Sequence, residues 1–277
     1  MEFSTVRGKV TKYIIEGLEH YTRYSVCVRA FNSAGAGPAT TPVNTLTKES
    51  VPSEGPRAVR CRAVSPQSLK VEWSPPPAHA HHGALLGYKL LYRPEHTADW
   101  LEWEVRGGGG AGSPAGAEVK RVAGVETLLL ALRPYMNYTV QALAYTAVGD
   151  GVPAQPIHCT TQQDVPGPPA AVKVVATSIT SLAVSWLPPS RSNGPILYYT
   201  VFYRELGRDR PPQTTTVQAE DGEEVVGLGG YTELRSLSEG ATYEAWVAAH
   251  SAAGEGEPSA PQPATTTSRA SVRVLSF

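Results

Sequence analysis

Few residues in this sequence have the type and spacing to do chemistry. Cys27, Cys61 and Cys159 are thiols, His79-Ala80-His81-His82 is a histidine tract, Asn137-Tyr138-Thr139 is an N-x-S/T sequon, and Glu220-Asp221-Gly222-Glu223-Glu224 is an acidic run. The histidines could ligate a transition metal, but no cysteine or carboxylate stands at ligand spacing beside them, so the tract reads as a polar loop. The acidic run lacks calcium-loop spacing and reads as a solvated turn. No G-x-S-x-G, H-E-x-x-H or phosphate loop is present, and no cysteine sits beside a base, so the sequence implies neither an enzyme nor a cofactor. The thiols are too few and scattered for a disulfide framework. Cys61 and Cys159 fall on the first and last expected strands of one unit, where a bridge is conceivable, but two unpaired thiols is the reading the count favours. Asn137 can carry a glycan, because its neighbour Tyr138 points inward and leaves the asparagine facing out.

The elements that position these groups follow from a pattern that occurs three times. Leu132 to Gly151 reads L-R-P-Y-M-N-Y-T-V-Q-A-L-A-Y-T-A-V-G-D-G, and the same skeleton recurs from Leu18 to Gly37 and from Leu237 to Gly256. Each copy has a leucine, five residues, a tyrosine, an alternating run and G-x-G. Side chains alternate along a strand, so Tyr138, Val140, Ala142 and Ala144 share a buried face. Tyr24, Val26, Val28 and Ala30 are expected to do the same, as are Tyr243, Ala245, Val247 and Ala249. Glycine in G-x-G gives the freedom of a tight turn. Leu18, Leu132 and Leu237, six residues before each tyrosine, suit a corner in which the tyrosine hydroxyl reaches back to the backbone.

The tyrosines are 114 and 105 residues apart, the length of whole sandwich domains rather than of a solenoid repeat. Twenty-four prolines and 26 glycines disfavour long helices, and the valine, tyrosine and threonine runs between them favour strands. The class is all-β. A net charge of −1 without basic runs argues against nucleic acid. No stretch approaches eighteen apolar residues and Met1 opens no signal peptide, although an N-terminus cut through the first unit would make that absence uninformative.

Two units are expected to be complete. The middle one opens at Val51-Pro52-Ser53-Glu54-Gly55-Pro56, continues through Val59, Cys61 and Ala63, and reaches Ser68-Leu69-Lys70-Val71-Glu72-Trp73 before a proline stop. The third repeats this with Asp164-Val165-Pro166-Gly167-Pro168-Pro169 and Ser181-Leu182-Ala183-Val184-Ser185-Trp186. Each then runs through a tyrosine strand, Tyr88-Lys89-Leu90-Leu91-Tyr92-Arg93 or Tyr199-Thr200-Val201-Phe202-Tyr203-Arg204. Trp73 and Trp186 should centre the two cores.

The proline link, S-L-x-V-x-W-x-P-P, G-x-x-x-x-Y-x-x-x-Y-R and L-x5-Y-x-V-x-A with terminal G-x-G together resemble the fibronectin type III domain over essentially the whole chain. The expected layout is a partial domain at 1–47, complete sandwiches at 51–162 and 163–268, and a linker at 269–277 toward a further domain. The segments 164–170, 140–152 and 185–189 look like the repeats of Down syndrome cell adhesion molecules. That resemblance implies the extracellular part of a neuronal, immunoglobulin-superfamily membrane receptor, with protein partners that include other copies of the same receptor engaged through domains outside this chain. It implies a membrane link only through a transmembrane segment that the chain lacks. A receptor-phosphatase array or an intracellular muscle protein is the alternative. The glycine-rich stretch 106–116 departs from the family pattern as a low-complexity insertion.

Strand parity also sets Phe202, Arg204 and Trp246 on one outer face. An arginine over indole can simply cover the tryptophan, and exposed aromatics beside arginine also resemble contact hot spots, so the three form a candidate contact face.

Overall fold

The computed structural model describes residues 3–95, 118–219 and 229–268. Alternating sequence becomes strand almost throughout, and the single helix among these residues is one 3-10 turn at Ala78–Ala80. No helix here is long and apolar enough to cross a membrane. The glycine-rich stretch, the acidic run and the expected exit linker lie outside the described residues.

The first unit contributes β1 (Arg23–Val26), β2 (Arg29–Asn32), β3 (Gly35–Ala39) and β4 (Val43–Leu46). β1 pairs with β4 and β2 with β3, both antiparallel. The expected buried face is not formed here. Tyr24, Val26 and Leu18 are only half-buried and Val28 and Ala30 are exposed. Val28 is 67% exposed, whereas Val247, four positions after its own tyrosine as Val28 is after Tyr24, is 0% exposed. The residues are of core type in both places; what differs is an opposing sheet, without which alternation buries nothing and the strand breaks between Val26 and Arg29.

The middle unit runs β5 (Arg57–Ser65), β6 (Ser68–Ser74), β7 (Gly87–Pro94), β8 (Glu118–Val122), β9 (Glu126–Leu129), β10 (Asn137–Tyr145) and β11 (Ile157–Thr160). Its sheets are β5-β6-β9 and β11-β10-β7-β8. Leu69, Val71 and Trp73 of one sheet and Tyr88, Leu90, Tyr138, Val140, Ala142 and Ala144 of the other are all buried. The Trp73 and Tyr88 rings meet edge to face across the sandwich, 5.4 Å between centroids. Leu132, ahead of the tyrosine strand, is buried too.

The third unit runs β12 (Ala170–Ala176), β13 (Leu182–Leu187), β14 (Tyr198–Glu205), β15 (Gln213–Gln218), β16 (Tyr231–Leu234), β17 (Thr242–Ser251), β18 (Gly254–Glu255) and β19 (Gln262–Thr265). β12-β13-β16 form one sheet and β15-β14-β17-β18 the other, with β19 also on β17. Its core joins both sheets around Trp186, with Leu182, Val184, Tyr199, Val201, Leu234, Leu237, Tyr243 and Val247.

The tyrosine hydroxyls accept backbone hydrogen bonds in the first and third copies, from the Glu19 N–H at 3.0 Å to Tyr24 and from the Ser238 N–H at 2.9 Å to Tyr243. The G-x-G turns divide their labour. Gly149 and Gly254 hold positive φ, whereas Gly151 and Gly256 are needed for space: a Cβ would lie 2.6 Å from Pro52 and 2.3 Å from the Pro166 carbonyl oxygen. Pro52 and Pro166, read as linker punctuation, are thus fully buried core residues.

Tyr92 on β7 donates its phenol proton to Glu118 on β8 at 2.5 Å. Burial, then the hydrogen bond and charge of that carboxylate, push its pKa up to about 12. A raised folded pKa means this contribution is complete below pH about 10, the ordinary phenol value, and is lost as pH rises toward 12. Thermal unfolding of the middle unit is therefore expected to weaken more between pH 9 and 11.5 in the wild type than in Tyr92→Phe. Equal slopes in the two proteins would contradict this assignment.

Candidate functional sites on the sandwiches

The outer face of β14 and β17 is built by register. Tyr198 lies opposite His250, Thr200 opposite Ala248, Phe202 opposite Trp246 and Arg204 opposite Glu244, while the intervening residues enter the core. Cross-strand neighbours on one face are within side-chain reach. The Phe202 and Trp246 rings stack, 5.6 Å between centroids and 3° from parallel. The Arg204 guanidinium lies 5.9 Å from the indole centroid and is also ion-paired with Glu244. Farther along, Tyr198 stacks on His250 at 4.2 Å, and the His250 ring bonds the Thr200 hydroxyl at 2.9 Å. The three residues expected on this face are therefore together. Glu244, Tyr198 and His250, which extend them into a ladder, went unread, although strand parity places them on the same side. The ladder offers half-exposed Tyr198, Phe202 and Trp246 rings beside a salt-bridged cation, with His250 buried beneath Tyr198.

Asn137 opens β10 and is exposed, while Tyr138 beside it is buried. The Thr139 hydroxyl donates to Glu95 at 2.6 Å, and the same carboxylate meets the His158 ring. An asparagine presented outward on a strand start leaves room for a glycan.

The histidines of the tract each have a structural partner. His79 lies 3.3 Å from Glu54, His81 bonds the Pro76 carbonyl at 2.8 Å, and the His82 ring meets the Ser53 hydroxyl at 3.3 Å. His82 holds a left-handed φ of 54°, as Asn193 does at 53° in the third unit. Each presents its carbonyl to the incoming chain, His82 to the Ser50 N–H at 2.8 Å and Asn193 to the Asp164 N–H at 3.0 Å. Among the described residues no group of three His, Cys, Asp or Glu side chains is arranged to hold a metal.

Cys61 and Cys159 are joined as a disulfide, with Cα atoms 6.2 Å apart, while Cys27 is free and exposed. This corrects the reading of two unpaired thiols. β5 and β11 are edge strands of opposite sheets, and period-two alternation puts Cys61 and Cys159 on the covered faces of their strands, half-buried and buried, between exposed neighbours. A Cα separation of about 4.4–6.8 Å is what the bond requires.

One recurring device went unread. Thr47, Thr161 and Thr266 each accept a backbone N–H from a residue 25 positions earlier: Thr22, Met136 and Ala241, at 2.8, 3.0 and 3.1 Å. Each hydroxyl then donates at 2.7 Å to a carbonyl just after the repeated leucine, that of Glu19, Arg133 or Ser238. These threonines latch the last strand of each copy to the loop before its tyrosine. The signal was the constant offset from that tyrosine.

Sequence comparison extends the same pattern. The chain is 37% identical to the cell adhesion molecule Dscam2 of Drosophila melanogaster over 95% of its length, which is 12% of that protein. It is 33% identical to Dscam1 of the same fly and 34% identical to mouse DSCAML1, another cell adhesion molecule, each over 100% of the chain and 13% of the relative. The chain thus spans about an eighth of the length of these relatives. The fibronectin type III domain family matches residues 2–46, 54–160 and 167–265. With its paired sheets, tryptophan cores and repeated tyrosine strands, the chain belongs to the fibronectin type III family.

Proposed function

We propose that this chain is an extracellular spacer and binding segment of a neuronal adhesion receptor, supporting homophilic cell recognition through domains outside it. The observation that carries this reading is similarity to cell adhesion molecules over 95–100% of the chain. The proposed layout is two complete sandwiches, 51–162 and 163–268, after the terminal strands of another at 1–47. The Cys61–Cys159 bridge supports an oxidising compartment over an intracellular muscle protein, because such bonds rarely persist where glutathione keeps thiols reduced. A sandwich that presents glycan-compatible and half-exposed aromatic surface, rather than a cleft with activated groups, supports a binding role over an enzymatic one.

The test is sedimentation of the whole chain, secreted from a eukaryotic host, across a wide concentration range, with mass spectrometry on Asn137. A glycosylated monomer at all concentrations is the result expected of a spacer. A second reading, that the aromatic ladder of the third unit is itself a self-association site, is favoured by the half-exposed Phe202–Trp246 stack. It requires a dimer that Trp246→Ala weakens at least tenfold. Secreted protein with a bare Asn137 and three free thiols would count against the extracellular reading.

A further inference from the structure

We propose that the Cys61–Cys159 bridge is a covalent path for tension, which lets the middle sandwich bear a pull between its two ends without unfolding. β5 is the first strand of this unit and β11 the last, with the segment at Pro52 packed on the unit just ahead of β5. Cys61 stands four residues inside the first strand, and Cys159 is followed by a single residue of the last. A force applied at the two ends therefore crosses from strand to strand through the sulfur–sulfur bond. The intervening segment, with a sequence separation of 98, hangs from it as a closed loop.

The third unit is the internal comparison. Ala58 and Ala171 share a left-handed φ, 50° and 49°, and the third residue after each is Cys61 or Val174. Two residues before the latch threonines Thr161 and Thr266 stand Cys159 and Ala264. Val174 and Ala264 thus occupy the places of the two cysteines, and both pack against the core of their own sandwich. The fold closes there without a covalent bond, so packing alone suffices at this edge and the bridge supplies something packing does not. Under a pull, the third unit can yield its whole matched length, 167–265. At about 3.3–3.6 Å per extended residue, that is a release of roughly 300 Å. The middle unit can yield only the few residues outside its loop.

Closure of the bridge removes two protons and two electrons from the thiols, which pass to an oxidant of the thiol–disulfide oxidoreductase class. Dithiothreitol reverses it, returning both thiols while itself becoming a cyclic disulfide. The role under load rests on the adhesion reading, whereas the mechanical property does not.

The test stretches the full chain by its two ends in single-molecule force spectroscopy, with and without dithiothreitol. The oxidised protein is expected to give one release of roughly 300 Å, and the reduced protein two. Cys61→Val with Cys159→Ala, which copies the third unit, should give two releases regardless of reductant. Two long releases from protein whose native thiols resist alkylation except at Cys27 would overturn the proposal. So would one release that persists after reduction, or alkylation of all three cysteines in the unreduced protein. Failure of the adhesion reading would instead show in the sedimentation and glycan results and leave this force pattern unchanged.

Discussion

Reduction of the Cys61–Cys159 bond is expected to lower the stability of the middle unit by about 4 kcal/mol, while the third unit stays where it was. The bond closes a loop with a sequence separation of 98. Loop-closure entropy for about 100 residues comes to about 4.7 kcal/mol, and measured bridges typically deliver about 2–4. That is a large share of the roughly 5–15 kcal/mol that stabilises an ordinary domain. The reduced thiols would remain at a packed edge, so the folded state should survive and the effect should fall mainly on the unfolded chain. Urea unfolding of the chain, followed with and without reductant, should show one transition moving to lower denaturant and the other fixed. If neither midpoint moved, the bridge would contribute nothing to stability.

The second large effect is expected at the tryptophans. Trp186 is 2% exposed and Trp73 is 5% exposed, each against a tyrosine of the opposite sheet at 5.4 Å. Truncation of a buried aromatic to alanine costs about 3–5 kcal/mol through lost burial and the cavity left behind. For a domain near 100 residues, that lowers the melting temperature by roughly 20 °C. Trp186→Ala should therefore unfold the third unit selectively, with no covalent loop to offset the loss. Trp73→Ala should be milder in the oxidised chain than in the reduced one, because the bridge holds its unit's unfolded state compact. The two indole N–H groups are buried without a hydrogen-bond partner among the described residues. Phenylalanine removes that unsatisfied donor as well as part of the ring, so Trp186→Phe should cost less than half as much as Trp186→Ala. Calorimetry of the single variants resolves the two units. Equal loss for phenylalanine and alanine would show that the indole donor is not the liability its burial implies.

Among the site features, those encoded in the residues of one strand were legible. Phe202 and Arg204 are two apart, so parity alone puts them on one face, and Trp246 follows from the parity of its own strand. Asn137 faces out because Tyr138 faces in. The ladder partners Glu244 and His250 obey the same rule and could have been read with equal ease. The histidine tract was legible only as a polar loop. That His82 takes the left-handed place of Asn193 depends on the incoming chain at Ser50, which supplies the hydrogen bond that holds it.

By itself the sequence determined the all-β class, the tryptophan and tyrosine cores and the repeated units, because side-chain alternation, proline stops and aromatic size act within a strand or its immediate turn. The tertiary structure decided whatever depends on what lies opposite. Val28 and Val247 are the same residue at the same place in the repeat, one exposed and one buried, because among the described residues only the second faces another sheet. Pro52 became core because Gly151 leaves it room. Cys61 and Cys159 became one bond because two edge strands far apart in sequence close on the same side of a sandwich, a distance that no local pattern encodes.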